Sequence, residues 1–207
     1  MRKLILSLML LVAGSFAALA QKQSDAQVIQ QINAVASRMK TMQCDFVQTK
    51  HMKMLNDNMV SRGKMYYQQS DKLRWEYTSP YTYTFVLNGS KVLLSKGKRS
   101  DVINVNQSKF FKEIARIMMN SVVGKCLTDT KDFRTTIATT STEWVATLVP
   151  QRKEMKQMFQ KIVLHFNRSK MMVSTVELIE TKGDSTVIQL TNVKTNSTIN
   201  AKVFSVN

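Results

Sequence analysis

Asn88-Gly89 stands between two largely apolar runs, residues 81–87 and 91–94, and that arrangement leaves the chain few choices. Asn-Gly supplies the two positive φ angles of a type I′ turn, so the flanking runs read as the strands of an antiparallel hairpin. The same grammar recurs upstream. Strand-like runs at 46–54, 59–67 and 73–77 are separated by Asn56-Asp57-Asn58 and by Gln68-Gln69-Ser70-Asp71. Downstream come 133–138, a turn at 139–142, a run at 144–149 and a break at Pro150. A charged, Met-bearing stretch at 152–159 then reads as a loop with a short helix. Strands are expected at 161–166, 172–180, 186–193 and 201–206, the first three joined by turns at Asn167-Arg168-Ser169-Lys170 and Gly183-Asp184.

Two segments switch to helical period. Ser24 and Gln27 form a capping box, and Val28, Ile32, Val35 and Met39 follow on one face. Between 108 and 119, the apolar residues Phe110, Phe111, Ile114, Ile117 and Met118 oppose Lys109, Lys112, Glu113 and Arg116, so this helix is amphipathic. Helix, strands, helix, strands is the order of an α+β fold: a curved antiparallel sheet with helices gathered on one face.

The first residues form a leader. Arg2 and Lys3 precede an apolar run at 4–13 and the small-residue site Ala18-Leu19-Ala20, a pattern cut by signal peptidase after Ala20. The run is too short for a bilayer span, which needs about 20 residues. Gln21 and not a cysteine would then lead, so no lipid is expected there, and 21–207 read as a single exported domain. The formal charge is +16. Such an excess suits nucleic acid, anionic headgroups or an acidic partner. Export, with no nucleic-acid motif to organise the cations, argues against nucleic acid; a solvated basic surface is the first reading and anionic headgroups the second. Four N-x-S/T triplets, at Asn88, Asn106, Asn167 and Asn196, read as turn residues.

Cys44 and Cys126 are the two cysteines. Joined, they would add on the order of 4 kcal/mol through loop closure; apart, each is a small buried hydrophobe. Both readings stay open. Catalytic signatures are missing: no H-E-x-x-H, C-x-x-C, G-x-S-x-G or Gly-rich phosphate loop appears, and there are six glycines in all. His51 and His165 each fall in an expected strand without metal-ligand spacing around them. A hydrolase would need Cys44 and His165 to meet in space. No catalytic residue, metal or cofactor is expected. Leu73, Trp75 and Tyr77, by contrast, alternate with Arg74 and Glu76, which makes one strand face large and aromatic. Fourteen methionines add soft side chains suited to apolar ligands, although an ordinary core would use them too.

Three segments carry a family resemblance: residues 42–50 (Met-Gln-Cys-Asp-Phe-Val-Gln-Thr-Lys), residues 61–67 (Ser-Arg-Gly-Lys-Met-Tyr-Tyr) and Leu73-Arg74-Trp75-Glu76-Tyr77-Thr78-Ser79-Pro80, followed by the hairpin at Asn88-Gly89. Their order and spacing, with the closing strands at 162–166, 173–180 and 186–192 and Val203-Phe204, resemble the LolA family of periplasmic lipoprotein carriers. The resemblance implies an incomplete antiparallel β-barrel with helices forming a lid over its concave apolar face. Acyl chains would then meet Met65, Tyr67, Leu73, Trp75 and Tyr77, with Phe85 and Leu87 on the next strand and Phe111, Ile114, Ile117 and Met118 on the lid. Many relatives carry a basic residue and a proline just before the aromatic strand, where Gln69 and Ser70 stand here, so Gln69 becomes the lid-gating candidate. Implied partners are acylated lipoproteins, a LolCDE-type inner-membrane transporter and a LolB-type outer-membrane receptor, with the carrier a monomer in the periplasm. The alternative use of the same half-barrel is to carry or sense glycolipid or another lipid.

Overall fold

A helix opens the described chain because Ser24 caps it. The Ser24 hydroxyl accepts from the Gln27 amide at 3.3 Å and the Gln27 side chain accepts from the Ser24 amide at 2.9 Å, so the helix starts with two otherwise orphaned donors satisfied. This helix, α1 (Asp25–Arg38), buries Val28, Ile32 and Ala36. Val35 is only half-buried, its expected place on the face taken by Ala36. The computed structural model describes residues 24–69, 71–107, 116, 119–120 and 125–206. The leader at 1–20 and most of the amphipathic segment at 108–119, including Phe111, Ile114, Ile117 and Met118, therefore lie outside the described residues.

From Thr41 onward strands dominate: β1 (Thr41–Met52), β2 (Asp57–Gln68), β3 (Lys72–Ser79), β4 (Tyr83–Asn88), β5 (Lys91–Lys96), β6 (Arg99–Asn104), β7 (Phe133–Thr139), β8 (Glu143–Pro150), β9 (Phe159–Asn167), β10 (Met172–Glu180) and β11 (Ser185–Thr195). A short helix, α2 (Lys153–Met158), precedes β9. The eleven strands of the described residues form one sheet in the order β6-β5-β4-β3-β2-β1-β11-β10-β9-β8-β7. Each half is a meander of hairpins, and the halves join where β1 pairs antiparallel with β11. β6 and β7 are its unjoined edges, so the sheet does not close. Residues 105–132 connect those edges. They leave β6 at the rim where Lys91 pairs with Asn104 and enter β7 at the opposite rim, where Phe133 pairs with Pro150.

Three expectations change. The Asn88-Gly89 hairpin is present, but Asn88 belongs to β4 and pairs with Lys91. Its loop is Gly89-Ser90 with positive φ at Gly89 alone (59°), the requirement of a type II′ turn and not of type I′. β6, which shows no alternation in the sequence, completes one edge. Residues 201–206 are not a strand: Ala201–Phe204 is a 3-10 turn capped by Asn200, whose side chain accepts from the Lys202 amide.

The apolar residues sort by sheet face. One cluster gathers Met42, Cys44, Phe46, Met65, Tyr67, Leu73, Phe85, Leu87 and Val92 from β1–β5 with Ala36 and Met39. A second gathers Trp144, Ala146, Leu148, Ile162, Leu164 and Phe166 from β8 and β9 with Val28 and Ile32. The registers place both sets on the same face of the sheet, with α1 lying across them. Behind β2–β5, on the other face, Val86 is sealed by Phe204 and Val206. Arg74 and Asn88 hold that closing segment by donating to the carbonyls of Val203 and Phe204.

Candidate functional site

Cross-strand register turns seven sequence-selected residues into a surface. Met42, Tyr67, Leu73, Leu87 and Val92 form one row across β1–β5, and Cys44, Met65, Trp75, Phe85 and Leu94 form the next. A third row runs Phe46, Gly63, Tyr77, Tyr83. Met65, Tyr67, Leu73, Trp75, Tyr77, Phe85 and Leu87 thus share one sheet face, as period-two alternation requires. Burial falls along the rows: Leu73 and Met65 are fully buried, whereas Trp75, Tyr77, Tyr83 and Leu94 are half-buried.

The half-buried aromatic rings are held in a chain of ring contacts. Phe46 stacks on Trp75 with centroids 4.3 Å apart and meets Tyr77 edge-on at 5.3 Å. Tyr77 in turn lies 5.7 Å from Tyr81 and 6.2 Å from Tyr83. Gly63 makes room for this. A Cβ at that position would collide with the Phe46 ring and with the Glu76 carbonyl oxygen. The Tyr77 hydroxyl donates to the Gln48 side chain at 2.9 Å, and burial raises the Tyr77, Tyr67 and Tyr83 phenols above their ordinary value. Ser61, opposite Gln48, is buried with its hydroxyl unpaired among the described residues. The chemistry on offer is a broad apolar and aromatic platform with one polar edge, which suits alkyl chains and not a reacting centre.

The connection between the sheet edges reaches this platform at its described points. Val105 and Met119 pack against the β1–β5 cluster, and Cys126 and Leu127 belong to the β8–β9 cluster. Arg116 pairs with Asp129 at 2.9 Å and also with Asp132, so its side chain is tied to the segment that leads into β7.

Other expected residues separate. The pairing of Cys44 with Cys126 is not formed: both are buried thiols, one in each cluster, Cys44 on β1 and Cys126 in a 3-10 turn against α1. Burial, with the Asp45 charge beside it, pushes the Cys44 thiol up to about 12, which suits a packing residue and not a nucleophile. His165 does not approach it, because its imidazole lies between Glu143 (3.1 Å) and Glu177 (3.0 Å). Gln69 is exposed in the turn after β2, its backbone N–H donating to the Lys40 carbonyl at 2.8 Å; most of the segment it would gate lies outside the described residues. Two of the triplet asparagines serve turns as expected, Asn196 accepting from the Lys40 amide and Asn167 from the Lys170 amide, whereas Asn88 belongs to β4 and pairs with Lys91.

A cleft of about 550 Å³ lies elsewhere, lined by Gln31, Ser141, Thr142, Trp144, Asn167, Arg168, Ser169 and Met171. It sits at the β7–β8 and β9–β10 turns, and its mixed polar lining gives no platform for an alkyl chain. Sequence pattern did not point to it, since turn residues read only as turns. Pattern also missed Phe46, Tyr83 and Leu94 as members of the aromatic platform; their spacing from Tyr77 and Trp75 becomes visible only through register.

A sequence model of the family described as outer membrane lipoprotein carrier protein LolA matches residues 37–207. Among its relatives, the outer-membrane lipoprotein carrier protein of Legionella pneumophila (strain Paris) is 29% identical over 207 residues, covering 99% of this chain and 94% of the relative. Solved structures share the fold, two of them as follows. An uncharacterised conserved protein of Thermus thermophilus gives a TM-score of 0.53 at 12% identity, with 87% of this chain and 93% of that one covered. The MucA/MucB complex of Pseudomonas aeruginosa gives 0.52 at 13% identity, with 89% of this chain but 62% of that one.

Proposed function

The chain belongs to the LolA family of outer membrane lipoprotein carrier proteins, and from that premise we propose that it carries lipoproteins across the periplasm with their acyl chains laid on the aromatic face of β1–β5. The observation that supports this most is the half-buried group of Trp75, Tyr77, Tyr83 and Leu94 at the end of an otherwise closed apolar cluster. A core that merely stabilised the sheet would bury these rings; a site that takes and returns alkyl chains keeps them within reach. The printed name of the relatives, outer-membrane lipoprotein carrier protein, supports the same reading, and a leader cut after Ala20, as the sequence pattern leads one to expect, would deliver the chain to that compartment.

In this reading residues 105–132 are the lid. They join both edges of the open sheet and place Met119 against the β1–β5 cluster, so Phe111, Ile114, Ile117 and Met118 fall on the segment that acyl chains would displace. Gating is a contest between weak lid contacts and acyl contacts, with Gln69 a neutral latch where many relatives have a cation. Cargo is received from a LolCDE-type transporter and passed to a LolB-type receptor, and the carrier works as a monomer without cofactor or chemistry of its own.

The test is release of a radiolabelled lipoprotein from inner-membrane vesicles. The wild-type protein is expected to release it and Trp75→Glu to lose the activity, because a carboxylate against alkyl chains is left unpaired. Trp75→Phe keeps the stack on Phe46 and is expected to stay active. Binding of free lipid without lipoprotein release would replace this reading with a glycolipid or lipid carrier or sensor.

A further inference from the structure

One rim of the sheet offers apolar side chains to water on a turn that its neighbours hold in place. β1 and β2 pair as far as Met52 with Asp57, while β3 reaches only to Arg62 and β11 only to His51. The tip at 53–56 therefore projects past β3. Met54 there is 95% exposed and Leu55 70%, which makes them the most exposed large apolar residues among those described. The tip is anchored from one side. The Lys53 amide donates to the Asp184 carboxylate at 3.1 Å, and Lys50 pairs with Glu180 and Asp184 at 3.2 and 3.6 Å. Gly183 packs so close that a Cβ on it would stand 2.6 Å from Lys53 Cδ.

Charge around the tip is the second observation. Register places the β3–β4 and β5–β6 turns on the same rim; they carry Tyr81, 39% exposed, and the exposed cations Lys96, Lys98 and Arg99. Two of the rim's acids, Glu180 and Asp184, are engaged by Lys50, and Asp57, Asp101 and Glu154 remain exposed among the cations. Apolar residues at a projecting point, a tyrosine beside them and flanking cations complement the layers of an anionic bilayer surface: alkyl boundary, headgroup and phosphate.

We propose that this rim docks on anionic membranes, with Met54 and Leu55 inserted below the phosphates. The docking stands on exposure and charge and does not require the carrier reading. If both hold, docking turns the Tyr77 and Tyr83 end of the platform toward the bilayer.

Flotation of the exported chain with vesicles of phosphatidylethanolamine and phosphatidylglycerol tests it. The wild-type protein is expected to float with these, weakly with phosphatidylcholine vesicles, and less as salt rises. Met54→Ser combined with Leu55→Ser is expected to cut the bound fraction roughly tenfold or more with an unchanged unfolding midpoint, since both side chains are already in water. Equal flotation of variant and wild type, or none by either, overturns the proposal. So does sedimentation that shows a dimer without vesicles which the double variant loses, because the tip would then serve a second copy of the chain. Acyl-ligand uptake followed by tryptophan fluorescence is read on the same variant: it is expected to persist, which separates failure of docking from failure of cargo binding.

Discussion

Gly63 sets the position of Phe46, and through it the stack on Trp75. Gly63→Ala is expected to cost about 1–3 kcal/mol, the usual range for overpacking, and to shift the tryptophan emission as the stack opens. Urea unfolding and fluorescence read the two effects on one sample. Cys44 carries a different prediction. Its thiol holds a proton up to about 12 in the fold against 9.0 in the unfolded chain. Between these values the folded state binds the additional proton, so stability is fully present below pH 9 and falls as pH rises through that window. The phenols of buried Tyr67 and half-buried Tyr77 and Tyr83, all raised, add to the same slope above pH 10. Native Cys44 is expected to resist iodoacetamide at pH 8 and to react at once in urea, as measured by mass spectrometry.

Among the elements, α1 links the two apolar clusters: Val28 and Ile32 serve one, Ala36 and Met39 the other. Ile32→Ala is expected to cost about 2–5 kcal/mol, and Ser24→Ala about 1 kcal/mol through the cap alone; thermal unfolding distinguishes them by size. This helix was legible in the sequence because cap and period coincide. So were the hairpins of β1–β5, where one buried face forces alternation. β6 was not, since as an edge strand with Val102 exposed it has no buried face to write into its pattern. The 3-10 turn at Ala201–Phe204 imitated a strand because Val203, Phe204 and Val206 are apolar for the sake of the back of the sheet. Met54 read as the end of a strand. Only the pairing limits of β1 and β2 reveal that it stands in water.

At the scale of the molecule, each sheet half has its apolar side under α1, and the β2–β5 half has a second cover behind it. Phe204→Ala is expected to lower stability by about 3–5 kcal/mol while leaving acyl-ligand affinity nearly unchanged, because Val86 and the platform lie on opposite faces. Differential scanning calorimetry beside a fluorescence titration checks both halves of that statement. The central ladder has a further consequence in time. Lys50 pairs with Thr186 and Phe46 with Leu190, across nearly the whole coding order, whereas every other ladder links consecutive strands. The hairpins can zip locally within microseconds, but the seam between them must wait for a long loop to close. Were the chain delivered N-terminus first, β1 would stand as a naked edge, open to wrong partners, until β11 arrived. The interval of risk would then be set by how fast the residues between β1 and β11 follow.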